Sequence, residues 1–135
     1  MKRLLILVSL PWALMLSGCQ AFASVPAACA IDPVDEILVL FDLYWNLGED
    51  TETGCQILRA FREKPAYVLE ALTVAAPEQL EQILILIGSS VANARRSDPA
   101  AYAKYARALQ YAAELELNEN AARILGFIHA NIEHW

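Results

Sequence analysis

The sequence predicts an all-α fold, a single irregular bundle of five or six helices. Apolar residues recur with the 3.6-residue helical period through most of the chain beyond residue 32. Cap residues followed by proline stand where such runs begin, as at Asp32-Pro33 and Asp98-Pro99. Glycine is scarce, five in 135 residues, and no Asn-Gly or Asp-Gly hairpin turn occurs.

The elements follow in order. Asp32 is suited to cap a first helix and Pro33 to open it, with Asp35 and Glu36 beside the positive end of the helix dipole. This helix is expected to reach about Leu47, with Gly48 as its stop. The acidic run from Glu49 to Gly54 reads as a loop. A second helix is expected over residues 55–63, with Ile57, Leu58 and Phe61 on one side and Arg59 and Arg62 on the other. Lys64-Pro65 interrupts the chain and starts a third helix over residues 65–75. Pro77-Glu78 opens a fourth, in which Leu80, Ile83, Leu84, Ile87, Val91 and Ala94 keep the helical period until it fades near Arg95-Arg96. The run Ile83–Ile87 is the one strand candidate, and the helical spacing on both sides of it decides for a helix. A fifth helix over residues 99–117 follows Ser97-Asp98-Pro99, with Tyr102, Tyr105, Leu109 and Ala112 at interior spacing. Asn118 caps a sixth over residues 119–133, facing inward with Ala121, Ile124, Leu125, Ile128 and Ile132. The last two helices have near tetratricopeptide length. Their small and aromatic residues miss the expected positions and no second copy is visible, so a repeat array is not expected.

The start of the chain has a different logic. Lys2 and Arg3 precede an apolar run from Leu4 to Leu16, which closes on Leu16-Ser17-Gly18-Cys19. A positive start, an apolar middle and small residues at a cut are the parts of a secretory signal. The run is too short for a bilayer core of about 30 Å, which needs roughly 20 apolar residues, and Pro11 interrupts it as a helix. Over residues 1–19 the chain resembles the bacterial lipoproteins, whose lipobox sets Leu, a small residue, Gly and Cys in this register. The resemblance implies removal of residues 1–18, a diacylglycerol on the Cys19 sulfur and a further acyl chain on the new amino group. Each buried methylene contributes about 0.8 kcal/mol, and two chains already anchor stably. Gln20, where an Asp would mark retention at the inner membrane, implies an outer-membrane address with the domain facing the periplasm. The alternative is a plain secretory signal with a chance cysteine.

Behind the signal, residues 19–31 read as an uncharged, lipidated tether and residues 32–135 as one helical domain. Loss of Lys2 and Arg3 with the signal takes the net charge from −6 to −8, since all the acidic residues lie beyond residue 18. A chain this acidic is a poor ligand for nucleic acid or for the anionic face of a bilayer. Cys29 and Cys55 remain as an even pair in an oxidising compartment and read as one disulfide. It would staple the tether to the second helix and contribute roughly 3–4 kcal/mol on the chain-entropy account. The alternative is two free thiols. Two cysteines without a nearby histidine fall short of a metal site.

Catalytic signals are weak. Gly88-Ser89-Ser90 lacks the second glycine of a nucleophile elbow and lies inside a helical pattern, where packing is its expected role. His129 and His134 point more than a right angle apart on one helix and cannot share a metal. Asp42 shares a narrow polar stripe with Asp35, Asn46 and Glu49 on a first helix that is otherwise apolar all round. Such a helix is either central, with Asp42 on its solvent side, or lines an acceptor groove. Ile85 and Phe127 are apolar residues on otherwise wet faces, Ile85 in one stripe with Glu78, Glu81, Gly88, Ser89 and Ala92. Together with the basic turn at Arg95 and Arg96, near Lys104 and Arg107, they are the candidate partner-binding residues. The alternatives are packing within the domain and a solvated basic turn.

The expectation is therefore a protein that is not an enzyme and takes no cofactor beyond the lipid on Cys19. It would bind another envelope protein, taking an amphipathic segment into an apolar groove. In size, anchor and class it is loosely similar to pilotins, small lipoproteins that guide secretin subunits to the outer membrane. No small-molecule substrate is evident. The alternative is a periplasmic inhibitor or immunity lipoprotein whose acidic run at Glu49–Glu52 covers a basic cleft. A cell-wall or lipid hydrolase would need a nucleophile or metal constellation that the sequence does not show.

Overall fold

Four of the helix starts follow directly from a side chain that can accept a hydrogen bond from the first turn. In the computed structural model, which describes residues 31–134, Asp32 accepts from the Val34 amide at 2.8 Å. Asp98 accepts from Ala101 at 3.0 Å and Asn118 from Ala121 at 2.8 Å. Asp50 is the fourth, accepting at 3.0 Å from both the amide and the hydroxyl of Thr53. The six helices among the described residues are α1 (Pro33–Asn46), α2 (Thr51–Glu63), α3 (Pro65–Val74), α4 (Pro77–Ser97), α5 (Pro99–Glu114) and α6 (Glu119–Ile132). The described residues hold no strand. Helices α3 and α4 have no side-chain cap and start instead on a proline, whose missing N–H is no loss in a first turn. The signal segment, Cys19, Cys29 and Trp135 lie outside the described residues.

Two boundaries correct the sequence reading. The acidic run from Glu49 is not a loop throughout: α2 begins at Thr51, with Asp50 as its cap. Buried Thr53 and Gly54 belong to this first turn. The fifth helix stops at Glu114 instead of Leu117, and residues 115–118 form an extended connection to α6. Gly48 ends α1 as expected, at φ +67°, and Glu49 follows at φ +65°. The Glu49 amide donates to Tyr44 O at 2.9 Å and the Gly48 amide to Trp45 O at 3.3 Å. This is the Schellman closure of a helix end, which satisfies two carbonyls that the last turn leaves open.

The centre of the bundle is α3, the shortest helix. It packs against α1, α2, α5 and α6, and Pro65, Val68, Leu69, Ala71 and Leu72 are buried along it. Around it gather Phe41 of α1, Ile57 and Phe61 of α2, Ile83, Ile87 and Val91 of α4, Leu109 of α5, and Leu125 and Ile128 of α6. Arg62, read from the sequence as outward, is half-buried: its guanidinium lies 5.2 Å from the centroid of the Tyr105 ring and donates to the Tyr105 hydroxyl at 3.1 Å. It joins α2 to α5 where Phe61 also meets Tyr105. No buried side-chain nitrogen or oxygen among the described residues lacks a hydrogen-bond partner.

The expectation that α1 is the central helix is not met. Only Ile37, Phe41 and Tyr44 of α1 are buried. Val39, Leu43 and Leu47, four residues apart, form an exposed apolar stripe on its outer side, while Asp42 is exposed as expected. The apolar circumference of α1 thus has two uses, one inward to the core and one outward. No helix among the described residues is long and apolar enough to cross a membrane.

Candidate functional site

The N-terminal half of α4 emerges between the end of α1 and the body of α6, and side chains on all three meet at the surface there. Ile85 of α4 and Phe127 of α6 are 43% and 53% exposed. Both line one half-open depression of about 310 Å³, whose other walls are Pro77, Leu80, Glu81, Leu84 and Asn131. The two residues picked out singly from the sequence therefore stand together. Beyond Phe127 the same surface continues over Leu80 and Leu84 into a second depression, reaching Leu72 of α3 and Ile124 and Arg123 of α6. On the other side of Ile85 and Glu81 lies a third, of about 500 Å³, walled by Tyr44, Trp45 and Glu49 from the end of α1 and by Glu78, Gln82, Leu86 and Ser89 from α4. Neighbouring depressions share wall residues, Glu81 and Ile85 on one side and Leu80, Leu84 and Phe127 on the other. The three therefore lie in a row as an interrupted groove from Trp45 to Ile124, apolar in the middle and mixed at the α1 end.

Local chemistry sets the α1 end of this groove. The Schellman closure turns the chain so that Glu49 lies beside Tyr44 and Trp45 at the rim. Gly54 of α2 lets that end approach closely, since a Cβ there would stand 3.2 Å from the Tyr44 ring and 3.6 Å from Leu86. The Tyr44 phenol is raised above its ordinary pKa by burial first and by the negative charge of Glu49 second. A hydrogen bond from the Gln79 amide to the Asp42 carboxylate joins α4 to α1 beside the groove. Trp45 is 41% exposed.

Arg95 and Arg96 do not join this groove. Both are exposed near the C-terminal end of α4. Arg95 lines a separate depression with Tyr102, Leu109 and His129, and Arg96 folds back to donate to Ala92 O at 3.3 Å. Gly88 and Ala92, assigned from the sequence to a wet stripe, are buried within the bundle, and the Ser89 hydroxyl donates to Leu86 O. The stripe is thus internal packing along part of its length. The sequence offered a groove along part of α1 only as the alternative to a central helix and singled out neither Tyr44 nor Trp45. Glu49 was read as part of the polar stripe of Asp42 and of the acidic run, not as a groove residue.

The described residues contain no group of three His, Cys, Asp or Glu side chains placed to hold a metal ion. His129 and His134 are both exposed. Cys55 is exposed in α2, and its expected partner Cys29 lies outside the described residues. Against known proteins, the chain matches no family model, no curated protein and no solved structure.

Proposed function

We propose that this chain is a lipoprotein, anchored to the outer membrane through Cys19 and facing the periplasm, that works as a non-enzymatic adaptor for another envelope protein. The observation that carries the adaptor role is the meeting of Ile85 and Phe127 over Leu80 and Leu84. Large apolar side chains from separate helices, left exposed side by side around a half-open groove, suit a surface that is covered in use. A groove between helices is also the shape that receives the apolar face of an amphipathic segment. The anchor rests on the lipobox-like run Leu16-Ser17-Gly18-Cys19 and the address on Gln20. In this reading Cys29 and Cys55 form a bridge, the lipid is the one non-protein group, and neither nucleic acid nor a small-molecule substrate is a ligand. The inhibitor alternative rests on the exposed carboxylates of Glu49 and Glu52, while that of Asp50 is engaged in capping α2.

The test is a photoreactive phenylalanine analogue in place of Phe127, in intact cells that produce the protein. An adaptor is recovered joined to one envelope protein, and the same analogue in place of Arg96, outside the groove, does not join to it. Recovery of the chain alone from both positions overturns the role.

A further inference from the structure

One end of the groove is acidic. Glu49, Glu78 and Glu81 line the depression that Tyr44 and Trp45 also line, and no lysine or arginine lines it. Glu81 continues as a wall of the neighbouring apolar depression. At the far end, beyond Phe127, the charged wall residue is Arg123. The groove is thus polarised along its length, with carboxylates and two aromatic rings at the α1 end, an apolar middle at Leu80, Leu84, Ile85 and Phe127, and a cation beyond.

Carboxylates around an exposed indole make a receptor for a cation: the ring face attracts the charge, and the acids complete the neutralisation. We propose that the occupant of this groove is a basic amphipathic helix, with apolar residues at helical spacing for the middle and a lysine or arginine seated over Trp45 among Glu49, Glu78 and Glu81. The proposal rests on the adaptor reading and adds the charge and polarity of the partner segment. A second copy of this chain is disfavoured because both copies carry the same net negative charge, which opposes their association. An anionic bilayer surface is disfavoured for the same reason. The negative field at this end is registered by Tyr44, whose phenol Glu49 pushes further upward.

The experiment uses the full chain in nanodiscs of phosphatidylcholine, with empty nanodiscs subtracted. The probes are three designed peptides of about 16 residues, long enough to form an isolated helix. They share one apolar face and differ at a single terminal position, carrying Lys, Gln or Glu. The expected result is that the Lys peptide binds about tenfold more tightly than the Gln peptide, and the Glu peptide more weakly than either. The preference disappears in the E78Q/E81Q double variant, while the apolar affinity remains. Circular dichroism checks that this variant stays helical. Equal affinity for the three peptides overturns the charge assignment and leaves the apolar groove standing. Binding of none of them overturns the groove itself and the adaptor reading with it. Binding of the Lys peptide that survives I85S/F127S, which removes the apolar middle without adding charge, is general attraction to an acidic chain and overturns the proposal.

Discussion

At the scale of single residues, Asp50 makes two bonds to one neighbour, the Thr53 amide and the Thr53 hydroxyl. The amide bond first and the hydroxyl bond second hold its carboxyl below the usual aspartate range. A carboxyl depressed in the folded state favours folding fully above its unfolded pKa of about 3.9 and loses that contribution as pH falls through the folded value. Asp50→Ala is therefore expected to lower the urea midpoint at neutral pH. The gap from wild type should narrow as the medium is acidified below about pH 4. Urea titrations at several pH values read this directly, and a gap independent of pH would place the effect elsewhere. Arg62 poses a related question in the interior of the α2–α5 contact. It touches Tyr105 both through the ring face and through the hydroxyl. A double-mutant cycle with Arg62→Met and Tyr105→Phe separates the two, because the second change keeps the ring and removes only the hydroxyl. The hydrogen-bond share is expected at about 1 kcal/mol.

At the scale of helices, burial divides α3 from α1 more sharply than their composition does. Leu69 of α3 is fully buried among several neighbours, and Leu43 of α1 is 44% exposed. Leu69→Ala should cost about 2–5 kcal/mol through lost contacts and the cavity left behind. Leu43→Ala should stay within about 0.5 kcal/mol, and thermal unfolding of the two variants side by side tests the ranking. This division was not legible in the sequence, because an apolar residue on α1 looks the same whether it meets the core or the solvent. Helix starts were legible where the cap stood directly before a proline, as at Asp32 and Asp98, or a short step before an apolar period, as at Asn118. Asp50 was not. Its helix opens on Thr-Glu-Thr-Gly, a polar string ending in glycine, and the first buried large side chain is Ile57. The start of this helix is fixed by the Asp50 cap, and Gly54 fits closely against Tyr44 and Leu86, a contact between separate helices that the local sequence does not show. The groove was half legible in the same sense. Ile85 and Phe127 each break a polar stripe on their own helix, but their meeting depends on how α4 and α6 cross.

At the scale of the whole molecule, the proposed membrane anchor has to hold a chain whose charge does not favour the bilayer. With the signal removed, the net charge is −8, the wrong sign for an anionic lipid surface. The exposed apolar stripe of α1 is small beside the acyl chains that the lipobox-like run implies, each methylene of which contributes about 0.8 kcal/mol when buried. If Cys19 carries diacylglycerol, most of the anchor lies in the two ester-linked chains, since the single amide-linked chain alone binds a membrane only marginally. Mass spectrometry of the membrane-extracted chain should then find Cys19 as the first residue, with diacylglycerol on its sulfur. Mild alkaline hydrolysis of those esters should move most of the protein from the detergent-rich to the aqueous phase of a detergent partition, with the helices intact by circular dichroism. A chain found in the aqueous phase before hydrolysis, with the Cys19 sulfur bare, would remove the anchor, and the adaptor would have to find its partner by diffusion. Because an amide-linked chain on the Cys19 amino group survives ester hydrolysis, a Cys19→Ser variant, which carries no lipid at all, is the sharper control. Its presence in the detergent phase would assign the membrane affinity to the polypeptide, and the outward stripe of Val39, Leu43 and Leu47 would then be the surface to substitute first.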